Sequence, residues 1–241
     1  MTATSRAPYR ITAILAATLW LLTAFGAIAG TGVMNGILDR PDYLTAAFPN
    51  STTIISGMLL WLVNDFGIVL IGILMFPILK MRSERLALAY LSMRIFEAIF
   101  LIVGVILALL IIPLSSEILH AEAVPLPLYQ SIGVILKQAQ YWFMTPLQLL
   151  PLGLGGVLLT GFLYQSRIVP RFIAIVGFVG YALLLPGAIL TLLGVLDTLP
   201  GSPGSVLVIP VAVFEIVLMP IWLYAKGFKF PASAADSRLA V

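Results

Sequence analysis

Six stretches of this 241-residue chain are each long and apolar enough to cross a lipid bilayer, and no other feature limits the possible folds as severely. Crossing the hydrocarbon takes roughly 20 mainly apolar residues. The stretches run from Ile11 to Met34, Thr52 to Leu79, Leu86 to Ile112, Tyr141 to Tyr164, Phe172 to Val195 and Ser205 to Ala225. The second and third are long and should tilt or project beyond the hydrocarbon. Residues 1–230 therefore read as a single six-helix transmembrane domain of all-α class, and residues 231–241 as a short disordered cytoplasmic tail.

Composition excludes a soluble fold. Apolar residues make up 61% of the chain and charged residues 10%, against about 25% charged in soluble domains. The net charge of +3 does not point to nucleic acid, because the bases are scattered singly and form no dense patch. With no cysteine and His120 as the only histidine, thiolate and histidine-rich metal sites are excluded. No nucleotide, hydrolase or zinc-peptidase motif is present, so the sequence calls for no cofactor.

Lys and Arg concentrate in cytoplasmic connections. Arg6, Arg10, Lys80, Arg82, Arg85, Arg167, Arg171, Lys226, Lys229 and Arg238 fall in one set of connections, and only Arg40 and Lys137 in the other. This predicts a multi-pass inner-membrane protein with both termini cytoplasmic. Arg6 and Arg10 before an apolar run ending in Ala27-Ile28-Ala29 imitate a secretory leader, but the run is longer than a leader core. The segment Leu126 to Gln140 reads as an outer re-entrant or interfacial helix, with Pro125 and Pro127 at its start.

Four ionisable residues fall well inside the spans: Asp65, Arg94, Glu97 and Glu215. At 1.5 Å of rise per residue, they lie about 22, 14, 18 and 17 Å from the basic ends of their helices. All four occupy the middle of a core roughly 30 Å thick. Arg94 and Glu97 share a helical face with Tyr90. A lone charge at a helix centre costs roughly 2.5–3.5 kcal/mol, so such groups turn inward and pair. Three carboxyls against one guanidinium leave an excess of two negative charges if all are ionised. The cluster should hold protons, a cation or a further base.

Lys137 is the candidate base. It begins a helical stripe with Tyr141, Thr145 and Gln148, and Asn64 adds a hydrogen-bonding group beside Asp65. Pro210 and Pro220 flank Glu215, and Pro146 and Pro151 lie in the fourth span. Proline removes a backbone hydrogen bond, so both helices should kink or unwind. Broken helices at the midplane are a feature of transport sites.

These residues support three functional readings. In the first, a small transporter-like protein binds a proton, cation or small solute at its midplane carboxylates. In the second, a structural, assembly or sensory membrane protein uses the charges only to staple helices. In the third, an intramembrane enzyme uses paired carboxylates on a lipid-like substrate. The one partner the sequence names is the lipid bilayer, and nothing in it sets an oligomeric state. Gly26-x-x-x-Gly30 permits close helix packing but is as readily accidental in so glycine-rich a chain. Glu117, His120 and Glu122 read as ordinary solvated residues, and the four tryptophans as belt or packing residues.

Three runs carry a family resemblance: FPILKMRSERLALAYLSMRIFEAIFL from Phe76 to Leu101, YQSRIVPRFIAIVGF from Tyr164 to Phe178, and FEIVLMPIWLYAKGF from Phe214 to Phe228. In order and spacing they resemble the bacterial membrane-protein family known only as domain of unknown function 4386. The resemblance spans nearly the whole chain and implies the fold. It marks Arg94 and Glu97, then Arg167, Pro170 and Arg171, then Glu215 and Gly227, and it supplies no activity.

Overall fold

A computed structural model describes residues 7–120, 125–199 and 201–229. Of the described residues 86% are helical and none lies in a strand, so the protein is all-α. The helices are α1 (Ala7–Leu38), α2 (Tyr43–Ala46), α3 (Ser51–Lys80), α4 (Glu84–Leu109), α5 (Ile111–His120), α6 (Leu126–Trp142), α7 (Gln148–Ser166), α8 (Arg171–Leu192), α9 (Ile209–Ala212) and α10 (Met219–Lys226). Six helical rods among them are long and apolar enough to span a membrane. The expected tail at 231–241 lies outside the described residues.

Two rods are longer than their apolar stretches. The third runs from Glu84 to His120 and the fourth from Leu126 to Ser166. The fourth, 41 residues long, measures about 60 Å and so is twice the hydrocarbon thickness. Leu126 to Gln140 is thus not re-entrant. It is the half of the fourth rod far from the basic loops, joined to α7 through a π-helical turn at Phe143–Leu147. Pro146 sits in that turn. A residue without an N–H is accommodated where the α ladder is already broken. The halves of the long rods far from the basic loops pack together with α2.

Within the membrane-spanning region the rods form a closed ring, in the order α1, α3, α4, α7, α8 and the sixth rod, which returns to α1. The α1–α3 contact is made by glycines. A Cβ on Gly26 would lie 2.6 Å from the Leu60 carbonyl oxygen, and one on Gly30 would lie 2.8 Å from the Gly57 carbonyl oxygen. The Gly26/Gly30 pair is therefore the seat of helix packing inside the chain.

The basic connections meet at one end. Arg10 donates to the Tyr224 carbonyl at 2.9 Å, and Thr18 and Tyr224 share a hydroxyl bond of 2.8 Å. The Lys229 N–H bonds the Ile168 carbonyl at 2.9 Å. That last bond depends on Gly227, whose φ of 66° and ψ of −167° only glycine adopts readily. The turn buries Phe228 against the interior of the ring. Above it, Ala13, Ala16, Ile71, Met75, Leu159 and Met219 belong to one continuous apolar core.

Candidate functional site

The midplane charges converge inside the ring, Asp65, Arg94 and Glu97 buried and Glu215 half-buried. Arg94 and Glu97 lie one turn apart on α4, and their side chains are 3% and 5% exposed, with Nη1 and Oε2 2.9 Å apart. The pairing is one of charge more than of aligned hydrogen bonds, since Glu97 Oε2 has no well-directed donor and Arg94 Nε has no acceptor. Gly72 of α3 leaves room for the Arg94 stem, since a Cβ there would lie 3.3 Å from Arg94 Cβ.

Glu215 enters from the sixth rod, which is π-helical over Val213–Leu218, between Pro210 and Pro220. A π turn carries an extra residue and re-aims its side chains. Glu215 accepts a 2.5 Å hydrogen bond from Tyr181 of α8. Tyr181 is itself fully buried, and its ring occupies the space a Cβ on Gly156 would take. Phe214 packs edge-on against both Tyr181 and Trp20. Arg94 lies within electrostatic range of Tyr90, Tyr181 and Glu215 as well as Glu97.

Asp65 completes the group from α3. It is fully buried and in electrostatic range of Glu97. Its Oδ1 accepts from Asn64 Nδ2 at 3.1 Å, and its Oδ2 has no partner. Among the described residues, no basic side chain is in electrostatic range of it.

Two of the residues marked in the sequence lie elsewhere. Lys137 is not a fourth partner. Its ammonium donates to the Leu38 carbonyl at 2.5 Å, sits 3.5 Å from Asp39 Oδ1, and lies 4.8 Å from the centre of the Tyr43 ring. The reason is length: Lys137 lies in the first third of a 41-residue rod, level with the end of α1 at Leu38. Gln148 is half-buried at the first residue of α7, and makes no hydrogen bond to the cluster. Tyr141, of the same stripe, donates to Asp197 at 3.0 Å. His120 bonds the Ser116 carbonyl and stacks edge-on with Phe48; Glu122 lies outside the described residues.

Sequence reasoning passed over Tyr181. Tyrosine ordinarily marks the membrane interface, yet Tyr181 lies about 15 Å along its helix from Arg171. That depth was the available signal. Trp61 is a packing residue, as expected of it, and its indole N–H is buried and unpartnered.

Residues 15–227 match the family model described as a domain of unknown function, DUF4386. The chain belongs to this family. The match runs from α1 through Gly227 and so takes in every residue of the cluster. No curated protein and no solved structure matches the chain. Membership carries the architecture of a multi-pass helical membrane protein and brings no activity with it.

Proposed function

We propose that this is a small transporter-like membrane protein whose midplane carboxylates, Asp65, Glu97 and Glu215, take up protons or a cation. The observation that carries the reading is Asp65, a fully buried acid with one oxygen unpartnered and no base opposite it. Arg94 offsets Glu97, Lys137 is remote, and the excess of acid is left to be neutralised by something that comes and goes. An intramembrane acid of this kind marks ion and proton pathways by default. The π turn that carries Glu215 fits the same reading, because such turns recur at functional sites.

The staple reading is weaker on geometry. It asks Arg94, Glu97 and Glu215 to tie three helices together; Arg94 and Glu97 both belong to α4, Glu215 is tied to α8 through Tyr181, and Asp65 is left unaccounted for. The distribution of basic residues favours both termini on the cytoplasmic side, which puts the outer halves of the two long rods on the opposite face.

The test is proton and cation flux into liposomes loaded with a pH-sensitive dye, driven by an imposed gradient. Wild type is expected to carry flux that falls to the protein-free level in Asp65→Asn and Glu215→Gln variants of unchanged helicity and elution volume. Equal flux in all three proteins sinks the proposal.

A further inference from the structure

Among the described residues, unpartnered buried polar atoms continue from the cluster away from the basic end; at the basic end itself Trp222 Nε1 is also unpartnered, packed against the apolar core beside Lys229. Toward the basic end, the space between Arg94 and Phe228 belongs to the continuous apolar core. In the other direction, Trp61 lies one turn beyond Asp65 on the same face of α3, with its indole N–H buried and without an acceptor. Trp61 packs in the same two apolar clusters as Met144. Beyond it, the Gln140 amide reaches only two thioether sulfurs, those of Met144 at 3.7 Å and Met34 at 3.9 Å. Such sulfurs are weak acceptors. One turn further out stands Lys137, beside Asp39 and the Tyr43 hydroxyl, which also lacks a partner.

Leaving a buried polar atom unmade costs about 1–3 kcal/mol, and such atoms are few in native proteins. Here those of α3 and α4, Trp61, Asp65, Arg94 and Glu97, are of both kinds, and Tyr43 Oη of α2 is a further one. Arg94 Nε and Trp61 Nε1 can only donate, whereas Asp65 Oδ2 and Glu97 Oε2 accept. A bare metal cation would meet N–H groups along this line. Water donates and accepts, and so suits both kinds.

We infer that Gln140, Trp61 and Asp65 line a water path that joins the acidic cluster to the end of the bundle opposite the basic loops, and that the species it delivers is the proton. A proton passes from a water of the file to the carboxylate, and that water is reprotonated from its outer neighbour. The purpose of the path rests on the uptake reading above, but its existence can be measured separately.

Radiolytic hydroxyl-radical labelling of the reconstituted wild type reads buried water. Met34 and Met75 are 2% and 0% exposed, so surface exposure does not distinguish them. Met34, on the path, and Trp61 are expected to be modified several-fold more than Met75, in the apolar core. Equal labelling overturns the path. Sidedness is read in sealed vesicles from Gln140→Cys and Lys226→Cys, in a chain with no natural cysteine. Silver ions are expected to modify the two thiols from opposite faces; reaction of both from the same face overturns the assignment. Selective labelling without flux leaves the path standing and removes transport. Flux that depends on Asp65, without selective labelling, does the reverse.

Discussion

The guanidinium of Arg94 and the carboxylate of Glu97 pair at 2.9 Å on a single helix, so the most deeply buried of the ion pairs joins no two helices. Its cost is desolvation of both groups, and its removal has two different outcomes. Arg94→Met strands a buried acid and is expected to cost about 3–5 kcal/mol, whereas Arg94→Met with Glu97→Leu should recover most of that loss. Thermal unfolding in detergent measures both. A single variant as stable as wild type would show that Glu97 does not depend on Arg94.

Gly156 holds the cluster indirectly. A Cβ at this position would lie 2.1 Å from the Tyr181 ring. Gly156→Ala is therefore expected to displace Tyr181, break its bond to Glu215 and destabilise the bundle by about 1–3 kcal/mol through overpacking. Tyr181→Phe removes the same hydrogen bond without the clash and should cost about 1 kcal/mol. If flux exists, both should change it. A Gly156→Ala protein with wild-type melting would contradict the packing described.

Gly227 is required by conformation and not by space. A Cβ there meets nothing nearer than 3.8 Å, but the backbone lies at φ 66°. Gly227→Ala is expected to cost about 1–3 kcal/mol in strain and to loosen the Lys229–Ile168 bond. Proteolysis near residue 228, compared with wild type, reads the loosening.

Arg167 carries the one positive φ among described non-glycine residues, 55°, at the C-terminus of α7. A left-handed residue with a Cβ is strained by about 1–2 kcal/mol. Arg167→Gly should melt no lower than wild type, and Arg167→Val, with a branched Cβ, should melt clearly lower. The reverse order would mean that the Arg167 side chain, not its backbone, matters.

Much of the architecture was legible because a bilayer imposes a simple rule on sequence. Long apolar runs had to be spans, and Asp65, Arg94, Glu97 and Glu215 stood out against them. Depth followed from helical rise, so their meeting could be anticipated. Lys137 was misplaced because helical spacing sets the face a residue takes and not how far its rod extends beyond the cluster. Leu126 to Gln140 was misread with it, because Pro125 and Pro127 mark a helix start but not that the helix runs on unbroken into the fourth span.

The sequence by itself therefore determined the class of fold, the six spans, the excess of buried acid and the family, because hydropathy and charge act residue by residue. The tertiary structure decided who pairs with whom. That Arg94 answers Glu97 on its own helix, that Tyr181 answers Glu215, and that Asp65 is answered by no base depends on which faces the ring turns together. Those faces are set by small residues such as Gly26, Gly72 and Gly156, which let backbones and rings approach closely. Their side chains are too slight to announce it in a sequence.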